Sequence, residues 1–200
     1  IIDYSQYGNN GTRNFNSTSD FGRNFTDGKF SKALVFDGVN DYVVTPNFTI
    51  TTTTSPISYN AWIKNAESIC YKTAKGENRV IIAHSPVSGS DGPVLYCGRT
   101  AALDRYLGVY SGTEYIDTDY VIGTDWTMVT MTFDGSVLKL YANGIEFKSE
   151  PTTITSGSAE FTIGGRWGAS NDQYYFNGTI DELSIWNRSL TAEELTKHYQ

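Results

Sequence analysis

The fold that this 200-residue sequence predicts is all-β: two antiparallel sheets packed as a sandwich, closed by a short C-terminal helix. Three observations lead there. Charged residues make up only 18 % of the chain, while Thr, Ser, Asn, Gly and Tyr abound. That composition suits pleated strands with polar outer faces and frequent turns. Short runs with period-two alternation are separated throughout by Gly, Asn, Asp and Pro, which is how a strand-rich chain is punctuated. The last turn of sequence carries a complete set of helix-start signals. A chain of this length buries a sizeable core, and we expect residues 1–200 to form a single domain.

The elements follow in order. Residues 1–31 carry turn signals at Tyr7-Gly8-Asn9-Asn10-Gly11 and Asp27-Gly28 and only isolated apolar residues; they read as an extended lead-in with one short strand at 12–15. Residues 32–44 hold two β-rich runs around Asp37-Gly38-Val39-Asn40, a strand–turn–strand that Pro46 should end. Residues 57–64 alternate cleanly, with Ile57, Tyr59, Ala61 and Ile63 on one face and Ser58, Asn60, Trp62 and Lys64 on the other. Trp62, among polar neighbours, either covers the sandwich or lines a groove. Residues 79–84 are nearly all apolar and read as a central strand. A long loop over 85–93 precedes strands at 94–97, 105–110 and 115–120. Residues 126–134 and 137–143 form a hairpin turning at Asp134-Gly135, and Asn143-Gly144 opens a second turn of the kind that needs positive φ. A short strand at 160–164 leads to a loop rich in Arg, Trp, Asn, Asp and Tyr at 165–175, and a last strand starts at Phe176-Asn177-Gly178. In the final helix Thr191 caps, Glu194 completes the capping box, and Leu190 and Leu195 form a hydrophobic staple.

The net charge of −7 argues against nucleic acid and anionic membrane surfaces as partners. There is no apolar run long enough to span a bilayer, so no direct membrane insertion of this segment is expected. The chain begins at Ile1 rather than Met, and we read it as a mature or excised piece of a larger surface or secreted protein. Cys70 and Cys97 have no Cys or His neighbours at zinc-ligand spacing. That leaves a disulfide or two buried thiols. We expect the disulfide, which on a chain-entropy basis would contribute about 3–4 kcal/mol and would place the protein outside the cytosol. Asn10, Asn16, Asn24, Asn47, Asn177 and Asn187 each begin an N-x-S/T sequon, against roughly three expected by chance from this composition. A Thr-rich β surface would also produce sequons; their agreement with the cysteines favours a glycosylated, extracellular or cell-surface protein.

Several pieces occur in a telling order: Asp3-x-Ser5 with Gly8 and Gly11-Thr12; Ala33-Leu34-Val35-Phe36-Asp37-Gly38 with Asp41-Tyr42-Val43; Ala61-Trp62-Ile63-Lys64; Trp126 with Thr132-Phe133-Asp134-Gly135; Leu140-Tyr141-x-Asn143-Gly144; Ile163-Gly164-Gly165; and Phe176-Asn177-Gly178-x-Ile180-Asp181-Glu182-Leu183-x-Ile185-Trp186-Asn187-Arg188. As an ordered set covering nearly the whole chain, they resemble a laminin-G-like jelly-roll domain of the concanavalin A-like lectin/glucanase superfamily. The resemblance implies a two-sheet antiparallel jelly-roll sandwich with its first and last strands adjacent. Such a fold hosts lectins, adhesion modules, glycosidases and accessory domains, so it fixes no single activity.

The resemblance also implies sites. A structural Ca²⁺ would be held by the Asp181 carboxylate and by backbone carbonyls near Asp3 and Gly38, since Ca²⁺ takes six to eight oxygens, carbonyls included. The alternative is that Asp181 caps amides of a neighbouring turn. Asp41 is either a further ligand or a turn-stabilising Asx residue, and Asp91, Asp104 or Asp172 would serve a rim site. Sugar binding in this fold class uses apical loops or the concave sheet. Residues 88–92 and the richer 166–175 loop carry suitable side chains, Arg166, Trp167, Asn171, Asp172 and Tyr174 foremost. Those aromatics otherwise pack as rim hydrophobes.

Catalysis is not expected. Retaining glycosidases need two carboxyls about 5–5.5 Å apart, and the glucanases of this superfamily set Glu, Asp and Glu on alternate residues of one strand. The nearest stretch here, 114–119, puts Asp117 and Asp119 on one face but turns Glu114 away and lacks a second Glu. Asp181 and Glu182 are strand neighbours and face opposite sides. His84 and His198 have no partner nucleophile, and Ser85 beside His84 builds no triad. The expectation is a non-catalytic extracellular recognition or adhesion module binding glycan or a cell-surface protein. The alternatives are a divergent glycosidase or its accessory domain, and a ligand-free structural spacer.

Overall fold

The computed structural model describes residues 2, 5–14, 25–66, 79–84, 92–98, 106–165 and 174–200. Their strands are β1 (Thr12–Asn14), β2 (Phe25–Asp27), β3 (Lys32–Asp37), β4 (Tyr42–Ile50), β5 (Ile57–Asn65), β6 (Arg79–His84), β7 (Val94–Cys97), β8 (Leu107–Tyr110), β9 (Tyr115–Ile116), β10 (Thr127–Phe133), β11 (Val137–Ala142), β12 (Ile145–Pro151), β13 (Gly157–Ile163) and β14 (Asn177–Trp186); the helix α1 spans Ala192–Tyr199. The first sheet runs β1-β4-β13-β6-β7-β8-β9 and the second β12-β11-β10-β5-β14-β3-β2. The predicted two-sheet antiparallel sandwich with a C-terminal helix is what the chain forms.

Alternation builds the core. Ile57, Tyr59, Ala61 and Ile63 of β5 and Val129, Met131 and Phe133 of β10 point inward, where they meet Ile82, Leu95, Val109 and Phe161 of the first sheet. Burying each such side chain is worth about 1.5–3 kcal/mol, so the register is strongly held. Gly164 shows how close the sheets come: a Cβ there would sit 2.1 Å from the Phe36 ring, at φ +75.

The last strand departs from simple alternation. Ile180 pairs with Ile63 and Asp181 with Trp62, but Ser184 pairs with Asn60, so one extra residue is accommodated between them. Glu182 takes φ +47 there, a β-bulge. The shift lets Ile180, Leu183 and Ile185 all pack on the core, and that uneven apolar spacing was the bulge's signature in the sequence.

Some expectations fail. Pro46 does not end its strand: β4 continues to Ile50. The ladder with β13 is irregular beside it, and the Thr45 hydroxyl accepts the Phe161 amide at 3.0 Å, so the missing proline N–H is absorbed at a bulge. β9 stops at Ile116 rather than residue 120, because Thr118 Oγ1 donates to the Leu107 carbonyl and takes an acceptor that a longer ladder would need. β2 and β12 are strands that the sequence reading leaves as lead-in and turn. Finally, β14 lies between β5 and β3, while β1 joins the edge of the other sheet. The early strand beside the last one is therefore β3, not β1.

Candidate ligand-binding face

Residues paired across an antiparallel ladder share a side of the sheet. On the first sheet, Val44 pairs with Thr162, Thr162 with Ala83, Ala83 with Val94, Val94 with Tyr110 and Tyr110 with Tyr115. These residues form one row across β4, β13, β6, β7, β8 and β9, on the side opposite the core. At about 4.8 Å per strand the row is roughly 24 Å long. A second row brings Val80, Tyr96 and Gly108 together. The floor is a cluster of Val80, Ala83, Val94 and Tyr96, with Tyr110 and Tyr174 packed against it.

Tyrosines dominate this face. Tyr96 is part of the floor, 1 % exposed, and its hydroxyl donates to Asp117 Oδ1 at 2.7 Å. Gly108 makes that pose available, since a Cβ there would stand 2.7 Å from the Tyr96 hydroxyl oxygen. Tyr110 and Tyr115 sit with ring centroids 4.7 Å apart, and Tyr115 meets Tyr96 edge-on at 6.1 Å. Tyr115 is 46 % exposed. At the other end Tyr175 packs on Tyr42 at 6.2 Å, in room left by Gly165, where a Cβ would be 2.6 Å from the Tyr175 ring. The middle of the row is buried, with Thr162, Ala83 and Val94 at most 6 % exposed, and Tyr115 is its exposed end. The arrangement presents ring faces for apolar contact beside hydroxyls and a carboxylate for hydrogen bonds.

The second sheet is different, and it decides the role of Trp62. Trp62 is 2 % exposed. Tyr199 of α1 stacks on it at 5.5 Å, Phe30 meets it edge-on at 6.0 Å and Lys29 Nζ lies 4.3 Å from its centroid. It covers the sandwich and lines no groove.

Of the predicted ligand-binding residues, Tyr174 stands on the tyrosine face; Arg166, Trp167, Asn171 and Asp172 lie outside the described residues. Tyr96, Tyr110 and Tyr115 belong to this candidate face and were not singled out in the sequence reading. Their signal was there: Val109-Tyr110 and Tyr115-Ile116 mirror each other about the turn at 111–114, which places both tyrosines on one side of a hairpin.

Two of the expected calcium ligands, Asp181 and Gly38, do not come together. Asp3 lies outside the described residues. Asn177 pairs with Asp37 and Ile180 with Leu34, so Gly38 sits at the start of β14 and Asp181 well along it, roughly 16 Å apart at strand rise. One ion with oxygens at 2.3–2.6 Å cannot take both. Asp181 instead accepts backbone amides, from Lys29 at 2.7 Å and Phe30 at 3.3 Å on Oδ2 and from Glu182 at 2.9 Å on Oδ1. The Gly38 carbonyl accepts Arg79 Nη1 at 3.0 Å. Asp41 is a turn residue, accepting the Asp37 amide at 3.1 Å. Asp91, Asp104 and Asp172 lie outside the described residues.

In the 114–119 stretch the acidic side chains have separate partners. Asp117 is engaged by Tyr96, while Glu114 Oε1 accepts from Thr152 Oγ1 at 2.6 Å. His84 is buried among Phe48 and Phe161 with Nε2 3.0 Å from the Phe48 carbonyl. Burial pushes its imidazole below the ordinary histidine range, against the opposing effect of carbonyls at Phe48 and Ala159. His198 rests edge-on against Trp186. Among the sequons, Asn10, Asn47 and Asn187 are exposed and Asn177 half-buried, whereas Asn16 and Asn24 lie outside the described residues. Cys97 is buried in β7, and Cys70 is outside the described residues. Among the described residues, no helix is long and apolar enough to cross a membrane.

A family model, Laminin_G_3 of the concanavalin A-like lectin/glucanases superfamily, matches residues 37–196. Human adhesion G-protein coupled receptor D1 is 33 % identical over 81 residues, 38 % of this chain but 9 % of the receptor. Among solved structures, domain 4 of AbnA, a GH43 extracellular arabinanase from Geobacillus stearothermophilus, solved in complex with arabinotriose, superposes with a TM-score of 0.66 at 24 % identity, covering 95 % of this chain and 88 % of that one. The receptor binding domain of botulinum neurotoxin D gives 0.67 at 16 % identity, covering 99 % and 49 %. At these identities the structural likeness is one of fold.

Proposed function

We propose, from the premise that this chain belongs to the concanavalin A-like lectin/glucanases superfamily, that it is a non-catalytic extracellular recognition module that takes a glycan on the tyrosine face of its first sheet. The observation that carries this is Tyr115, 46 % exposed yet held against Tyr110 at 4.7 Å. A half-exposed aromatic fixed by a second ring is a rigid plane, presented at little conformational cost. The C–H face of a sugar ring is apolar and would lie on that plane. Its hydroxyls would meet the tyrosine hydroxyls and Asp117.

The arabinanase domain, with its bound arabinotriose, supports a sugar as ligand; the adhesion receptor supports an extracellular setting. Exposed sequons at Asn10, Asn47 and Asn187 fit the same compartment, as would a Cys70–Cys97 disulfide. The separate engagements of Asp117 and Glu114 favour a module without hydrolytic chemistry.

A glycan array that includes arabinotriose, probed with wild type and Tyr115→Ala, tests this. We expect array signals that fall at least tenfold in the variant while its melting curve stays unchanged. Full retention of binding in Tyr115→Ala would remove the tyrosine face from the ligand site, and release of reducing sugar from any bound glycan would overturn the non-catalytic reading.

A further inference from the structure

Arg79 opens β6 and is 4 % exposed. It pairs with Cys97, so its side chain leaves the sheet on the side opposite its neighbour Val80, which pairs with Tyr96 in the tyrosine floor. There Nη1 donates to the Gly38 carbonyl at 3.0 Å and to the Tyr175 carbonyl. The first belongs to the β3–β4 turn, the second to the segment entering β14. Gly38 has φ +75, and a Cβ on it would stand 3.2 Å from Arg79 Nη1 and 2.8 Å from Asn177 Cβ; only glycine lets the guanidinium and the turn meet. Arg79 Nε is buried without a hydrogen-bond partner.

A buried cation normally rests against a carboxylate. This one rests on backbone carbonyls from two chain segments, which is the work of a bound hard cation. We propose that Arg79 is the positioning residue of the tyrosine face: a built-in cation that holds the Tyr174-Tyr175 segment to β6 in place of calcium at Gly38. The proposal rests on the tyrosine face being the ligand site. The linkage is short. Arg79 holds the Tyr175 carbonyl, the Tyr175 ring packs on Tyr42, Tyr174 packs against Val80, Ala83, Val94 and Tyr96, and the next amide, Phe176 N, bonds the Gly164 carbonyl at 2.8 Å. One strand thus supplies both a piece of the floor and the anchor of the segment beside it.

Hydrogen exchange of peptides covering residues 174–180, with α1 peptides as the internal reference, tests the anchor on the full chain. Arg79→Met removes the charge; Arg79→Lys keeps it but loses the fork, and serves if the first variant fails to fold. We expect at least tenfold faster exchange of the 174–180 segment in Arg79→Met, partial rescue in Arg79→Lys, unchanged exchange in α1, and no effect of EDTA on the wild type. Faster exchange of the wild-type segment in EDTA, or unchanged exchange in Arg79→Met, would overturn the proposal. Affinity for arabinotriose adds a second arm. If Arg79 acts through Tyr174 and Tyr175, Arg79→Lys weakens binding in the wild type but adds less than twofold in a Tyr174→Ala, Tyr175→Ala background. Losses that multiply independently would reduce Arg79 to general stability and overturn its positioning role. A wild type that binds no sugar at all would sink the glycan reading, and the exchange experiment would still decide the anchor.

Discussion

The two outward faces of this sandwich are built from similar material and used in opposite ways. On the second sheet the chain folds back over its own aromatics: Tyr199 of α1 and the turn at residues 28–31 close over Trp62, and Ser58 ties down the segment before the helix by donating to the Arg188 carbonyl at 2.8 Å and accepting the Leu190 amide at 3.0 Å. On the first sheet the tyrosines pack sideways on one another, and Tyr115 keeps nearly half its surface. Polarity in the sequence does not tell the two apart. Ser58, Asn60, Thr130 and Thr132 look like a solvent face and are all at most 4 % exposed; Asn60 and Thr130 satisfy each other at 2.6 Å, as buried polar groups must. What separates the faces is how much aromatic surface each leaves open: Trp62 is 2 % exposed and Tyr115 46 %.

Substitutions should therefore split cleanly. Trp62→Ala, on the covered face, should cost about 3–5 kcal/mol in chemical denaturation, as large-to-small core changes do, yet leave glycan affinity of the folded fraction unchanged. A loss of affinity there would mean that the faces communicate. Ser58→Ala leaves a buried amide and carbonyl unpaired and should cost about 1–3 kcal/mol, with α1 exchanging faster than the β10–β11 hairpin; uniform loosening would show that the helix is not separately latched. Acid offers a third contrast. His84 is held neutral by burial, with its proton affinity below the ordinary value of 6.5. A depressed histidine contributes stability that is present above about pH 6.5 and lost as pH falls below it, because the unfolded chain takes up the proton first. Melting temperature should fall between pH 7 and 5 in the wild type and not in His84→Gln; parallel slopes would place the titration elsewhere. The smallest change in stability should come from Tyr115→Ala, within about 0.5 kcal/mol as for an exposed position, although it should have the largest effect on binding.

How much of this was legible from residues alone follows the same division. The inward rows of β5 and β10 were plain, because strict alternation with β-branched and aromatic residues has one interpretation on a half-buried strand. The helix start was equally plain: Glu194 accepts the Thr191 amide at 2.9 Å, and Thr191 Oγ1 accepts the Glu194 amide at 3.3 Å, the reciprocal pair that the sequence announces. Glu194 also meets Arg188 at 2.7 Å, and this partner foremost holds its carboxyl pKa down from 4.5 to about 2. Pro46 misled because a proline's missing donor normally ends pairing, whereas here Thr45 and Pro46 together oppose the single residue Phe161 of β13, a bulge that only the partner strand reveals. Asp181 was ambiguous because a carboxylate that caps amides and one that binds calcium look the same without the register. The tyrosine face was hidden because its members come from separate strands, joined only by long-range pairing. The placement of Arg79 was out of reach for the same reason: both carbonyls that it meets are distant in sequence.

The bulge at Glu182 has a consequence for how this chain tolerates change. It works as a frameshift within one strand: residues before it are read against β5 in one phase and residues after it in the other. Losing a single residue there would throw Leu183 and Ile185 outward and bring Ser184 into the core. The same loss in the connection at residues 51–56, which lies between strands of different sheets, would leave both ladders in phase. Insertions and deletions recorded over the history of this domain should accordingly avoid residues 180–186 and gather in connections between the sheets such as 51–56.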